Sequence, residues 1–179
     1  MIDKILSRRY AQAFFNLFGT TLSEKNRDDL QAFSLYIKEH TQAFFYVKVA
    51  LIDDKTKIRI VGELAKRYEL ESILQPLLYV LATSKRLEIL PLVSDQLITL
   101  YNNYHAISVC TIESSSSLNK NQAALIVDYL KEKTKTTVQP IFKENKTLIA
   151  GIRALSNSYL WENSVYKKLK NITAITRKG

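Results

Sequence analysis

The chain has 179 residues, 46% of them hydrophobic and 24% charged, and a net charge of +9. Such a composition describes a globular protein with enough length for one or two cores, and its longest apolar runs fall well short of the ~18–20 residues that a membrane span needs. A single cysteine, Cys110, excludes intrachain disulfides and cysteine-rich zinc sites, and points to a reducing compartment.

The first stretch, from Ile2 to Phe18, has helical spacing. Its apolar residues cover an arc wider than half the cylinder, whereas one buried face needs only about 100°. This helix is therefore expected to meet neighbours on more than one side. No secretory signal pattern is present, and Asp3 favours a mature N-terminus over a transit peptide. "TTLSEKNRDDLQAFSLYIKEH" predicts a second helix capped by Ser23, with Leu30, Phe33, Tyr36 and Ile37 facing inward. "TQAFFYVKVALID" predicts a short apolar third helix and a turn. "DKTKIRIVGELAKRYEL" predicts a fourth from an Asp cap, with Ile58, Val61, Leu64 and Ala65 inward. "ESILQPLLYVLATSKRL" is the fifth and most apolar, with Pro76 expected early, where its missing N–H is cheapest. "EILPLVSDQLITLYNNYH" is the sixth.

At His105 the periodicity changes. "AISVCTIE" alternates as a strand does, "SSSS" is a loop, and Asn119 with Gln122 resembles a capping box ahead of a helix. "TTVQPIF" is a β-branched strand whose Pro140 predicts an edge position. "TLIAGIRAL" predicts a strand, "SNS" a turn and "YLW" a short return strand. Val165, Leu169 and Ile172 predict the inward stripe of a final helix. The expected fold is α+β: a six-helix bundle over residues 1–105, then a small α/β domain over residues 106–179 with a short sheet and two helices. Charge follows the same division. Residues 1–105 hold 14 Lys/Arg and 12 Asp/Glu, whereas residues 106–179 hold 12 and 5. A basic domain of this kind suits a solvated face, nucleic acid, an acidic protein or an anionic membrane surface.

Chemistry-bearing groups are sparse. The four glycines are dispersed and no Gly-Lys-Ser/Thr occurs, which excludes phosphate loops and the dinucleotide fingerprint. Gly151 reads as a strand glycine at a bend or close backbone approach. His40 and His105 have no partners at ligand spacing, and Cys110 reads as a buried thiol. Asp28-Asp29 and Asp53-Asp54 sit at helix starts, where adjacent acids complement the helix dipole. No residue set supports an enzyme, a cofactor or a metal. Two classes remain: a protein-binding structural subunit and a basic helical RNA-binding module. Aromatic residues at core spacing, rather than interleaved with Arg, weaken the second.

Three patterns in order resemble the delta subunit of F-type ATP synthases, the family of the oligomycin-sensitivity-conferring protein. "RRYAQAFFNL" is similar to the family's basic–Tyr–Ala–x–Ala–Phe opening. "SKRLEILPLVSDQLITLY" resembles its Gly-Arg-Leu, Leu-Pro and long helix. "LIAGIRALSNSYLWENSVYKKLKNI" resembles its closing hairpin and amphipathic helix. The chain departs from the family pattern at Ala150, Asn157 and Asn163, at Lys85 in place of a helix-capping glycine, and at Glu162. The two Asn residues are expected to keep the turns, since Asn tolerates positive φ; Lys85 is the more costly replacement. The resemblance implies a non-catalytic stator subunit without cofactors. It would bind alpha-subunit N-terminal segments through its helical domain and the far end of the b subunit through its second domain. It would lie peripherally at the cytoplasmic face of a bacterial plasma membrane. It further implies an alpha-subunit groove between the first and fifth helices, with Tyr10, Ala13, Phe14, Leu77 and Val80 as its residues.

Overall fold

A computed structural model of the chain describes residues 2–40, 44, 52–157 and 159–176. It divides into two compact units, Met1–Asn102 and Asn103–Gly179.

Five helices of the first unit are described: α1 (Ile2–Phe18), α2 (Glu24–Glu39), α3 (Asp54–Arg67), α4 (Glu71–Thr83) and α5 (Leu90–Tyr104). The segment expected to be a third helix lies outside the described residues, apart from a buried Phe44, so the fifth helix of the sequence count is α4 here. Local chemistry starts these helices. The Ser23 side chain accepts from the Asn26 N–H, and the Asn26 side chain accepts from the Ser23 N–H, which closes a capping box on α2. Asp53 caps α3 by accepting from Thr56 N–H at 3.1 Å. Inward residues follow three-four spacing: Leu30, Phe33 and Ile37 on α2, Val61 and Ala65 on α3, and Leu90, Val93 and Leu97 on α5. At the end of α5 Tyr101 is buried and Tyr104 is exposed. Pro76 falls in the second turn of α4 and not the first, because the helix begins at Glu71. Its side is exposed, so the carbonyl that loses a helical donor is one that water reaches.

Helices α3 and α4 end alike. Leu70 N–H returns to Ala65 and Glu69 N–H to Lys66; Arg86 N–H returns to Leu81 and Lys85 N–H to Ala82. These are Schellman closures, whose pivot residue is left-handed and usually Gly. Here the pivots are Glu69 (φ 55°) and Lys85 (φ 55°).

The second unit holds a four-stranded sheet in the order β2-β1-β3-β4, formed by β1 (Ile107–Ser114), β2 (Thr137–Glu144), β3 (Gly151–Leu155) and β4 (Leu160–Ser164). Strands β1 and β2 are parallel, joined by α6 (Lys120–Thr134) as the crossover; β3 is antiparallel to both β1 and β4. The capping box of Asn119 and Gln122 opens α6. Leu130, Ile126 and Val127 of α6 cover Cys110, Ile112, Val138 and Ala154 on one sheet face. Pro140 lies on β2, an edge strand.

Three expectations change in this unit. The strand expected from Thr147 begins only at Gly151, because Lys146–Leu148 form a 3-10 turn and Ile149 has φ 63°. The return strand is longer, Leu160–Ser164, and takes in Asn163, which is therefore extended and not a turn residue. The stripe on the final helix, α7 (Val165–Thr176), does not face inward. Val165, Leu169 and Ile172 are 37%, 49% and 59% exposed. The sheet already has one helical cover in α6, and the main contacts of α7 are with β4 and the 3-10 turn.

Candidate partner-binding site

The candidate surface is built on α1 and α4. The buried side of α1 is Ser7, Ala11 and Phe14, and that of α4 includes Leu74, Leu77, Leu78 and Leu81. The wide apolar arc of α1 thus splits in two. The Phe14 ring lies against that of Phe18, tilted, with centroids 4.9 Å apart, while Ile2, Ile5 and Leu17 are 72%, 53% and 74% exposed. On α4, Tyr79 and Val80 are 64% and 46% exposed beside an exposed Pro76. Exposed apolar residues grouped on helix faces, rather than scattered singly, mark interaction surfaces.

Polar contacts tie α1 to the turn that follows α4. The Schellman turn after α4 carries Ser84 and Arg86 to Tyr10 of α1. Arg86 Nη1 donates to the Tyr10 hydroxyl at 3.2 Å. A hydrogen bond from Ser84, reinforced by the Arg86 guanidinium, holds the Tyr10 phenol below its ordinary pKa. Both donors favour the phenolate, and both are supplied by the turn.

Of the five residues expected at the groove, Ala13 and Val80 are on the surface and Tyr10 is half-buried. Phe14 and Leu77 are core residues, 5% and 4% exposed, and reach a partner only by supporting the surface. Spacing alone cannot divide an arc this wide between core and surface, so it leaves Ile2, Ile5, Leu17 and Tyr79 unassigned. Their signal was the width itself: α1 carries more apolar residues than one core contact uses. Among the described residues no group of His, Cys, Asp or Glu is placed to hold a metal ion, and no helix is long and apolar enough to cross a membrane.

The family model described as ATP synthase delta (OSCP) subunit matches residues 6–175. The chain belongs to that family. Relatives of full length agree. The ATP synthase subunit delta of Klebsiella pneumoniae is 27% identical over 173 residues, covering 95% of each chain. That of Actinobacillus pleuropneumoniae is 26% identical over 151 residues, covering 82% of each. A chain of the cryo-EM structure of the Toxoplasma gondii mitochondrial ATP synthase hexamer matches with a TM-score of 0.70, over 96% of this chain and 97% of that one. At 19% identity that match shows a shared fold. Lys85, at the position where the resemblance leads one to expect a helix-capping glycine, holds a left-handed φ of 55°.

Proposed function

We propose that the chain is the non-catalytic stator subunit of an F-type ATP synthase. It holds the alpha subunits of the catalytic head to the membrane-anchored b subunit, so that rotation is coupled to ATP synthesis. Membership of the delta/OSCP family over residues 6–175 carries this proposal. The first unit supports it with two apolar helix faces pinned together by Tyr10, Ser84 and Arg86. An amphipathic helix, such as an alpha N-terminal segment, docks on such faces through anchors at three-four spacing. In this assignment Ala13, Leu17, Tyr79 and Val80 make the contact, Tyr10 borders it, and Phe14 and Leu77 support it from below. The second unit binds the b subunit, and the complex lies peripherally at the cytoplasmic face of the membrane.

The test pairs an affinity pulldown from membranes with titration of an alpha N-terminal peptide. The pulldown should recover alpha and b subunits. Val80→Asp should weaken the peptide by about 2 kcal/mol with little change in Tm, because the side chain is exposed. Tyr10→Asp should weaken it and also lower Tm, because the hydroxyl that receives Arg86 is lost. Recovery of RNA in place of ATP synthase subunits would overturn the assignment.

A further inference from the structure

The sheet of the second unit has two faces and one cover. Side chains alternate across a strand, and Cys110, Ile112, Val138, Ala154 and Trp161 lie on the face that α6 covers. The other face takes the alternate residues. Among the described residues no helix closes it. Val109, Ile141 and Leu160 are 37%, 45% and 63% exposed there, and the side chains of α7 from residue 165 to residue 173 are themselves exposed.

The strand register sorts this open face into rows that run straight across the sheet. One row is Ile141, Thr111, Leu155 and Leu160, on β2, β1, β3 and β4 in that order. It is apolar but for the threonine. The next row is Lys143, Glu113, Arg153 and Glu162, whose charges alternate in sign. Glu113 and Arg153 pair at its centre. Lys143 and Glu162 stand at its ends, three strand spacings or about 14 Å apart, with the central pair between them. The row sums to zero, although the unit as a whole is basic.

We infer that this open face docks a second copy of the chain, sheet against sheet, about a two-fold axis that runs along the strands. Such an axis reverses the strand order and keeps each row level. Lys143 then faces Glu162 of the second copy at both ends of the charged row, Glu113 faces Arg153, and Ile141 faces Leu160. Each face is its own complement, which an isologous contact requires. Stacked sheets lie about 10 Å apart, a gap that a lysine and a glutamate close between them. A row without net charge gives nucleic acid or an anionic membrane nothing to select. A partner of one charge sign meets as many like charges as opposite ones. The face measures roughly 400 Å², about half of the ~800 Å² per partner of a stable complex. The dimer is therefore weak. It forms in the concentrated free subunit, and a two-fold contact closes without propagating. The inference is independent of the stalk assignment.

The test is sedimentation velocity of the full chain over rising concentration. The unaltered chain should pass from monomer to dimer and no further. Leu160→Asp should weaken self-association by about tenfold or more, the worth of one apolar anchor, with Tm unmoved because the side chain is exposed. Lys143→Glu alone and Glu162→Lys alone should each weaken it too, with the fold kept by circular dichroism. An equimolar mixture of those two variants should dimerise again, because every altered end then meets its opposite charge on the other chain. A rescue between two chains has no route within one. Monomer at every concentration overturns the inference, and so does a dimer indifferent to Leu160→Asp. A mixture that associates no better than its two components also overturns it. If the chain stays monomeric while Leu160→Asp loses binding to a C-terminal segment of the b subunit, the face belongs to that partner and the inference falls.

Discussion

Lys85 and Gly151 make opposite demands on the same backbone region. Lys85 holds φ 55° at the end of α4, where a side chain is penalised and glycine is not. Lys85→Gly should therefore stabilise the first unit by about 1 kcal/mol, read as a higher urea midpoint at unchanged slope. Gly151 holds φ 101° beside β4, and a Cβ there would overlap the carbonyl oxygen of Asn163. Gly151→Ala should destabilise the second unit by about 2–4 kcal/mol, seen as an early transition in the same urea titration. The close approach was legible, since a lone glycine in an apolar run has few other uses. The left-handed turn at Ile149 was not, because nothing in "TLIAGIRAL" interrupts a strand pattern.

At the scale of the element, one half-buried pair fastens the centre of the sheet. Arg153 Nε donates to Glu113 Oε2 at 2.9 Å from β3, and Asn145 Nδ2 donates to the same oxygen at 2.9 Å. The Asn145 bond first, then Arg153, holds the Glu113 carboxyl below its ordinary pKa against the opposing effect of burial. The folded form thus prefers ionised Glu113. Its contribution is complete above the unfolded value near pH ~4.3 and is lost as pH falls below it. Glu113→Gln should flatten the pH dependence of the second unit's stability between about pH 5 and 3, followed by circular dichroism. The caps on α2, α3 and α6 were readable because a cap is a bargain between residues three apart. The stripe on α7 was readable as a stripe and misassigned as core. Periodicity reports that a face is apolar, and not whether this chain or another covers it.

On the scale of the whole molecule, the contrast between a nearly neutral helical unit and a basic mixed unit matches the change of periodicity in the sequence. The units meet at Asn102 and Asn103, and Ala106 just beyond has φ 50°. Limited proteolysis should first cut between Tyr104 and Ala106, and less readily at Ser115–Ser117, where Ser115 N–H is tied to Gly151 O at 3.4 Å and Ser114 Oγ bonds Ser116 O. A first stable fragment ending within residues 20–90 would refute the division.

Strand β2 ends the sheet, and its bonding has a direction. Thr137 N–H donates across to Ala106 O, so alternate residues from Thr137 turn their N–H groups toward β1 and those from Val138 turn theirs outward. Pro140 belongs to the outward set. The free margin of the sheet therefore lacks a donor at its middle, where an incoming strand from another molecule would seek one. The consequence is colloidal: a chain with exposed apolar helix faces is hindered, at the parallel edge of its sheet, from templating its own polymer. Pro140→Val should leave the fold intact and raise the rate of thioflavin-positive aggregation on heating.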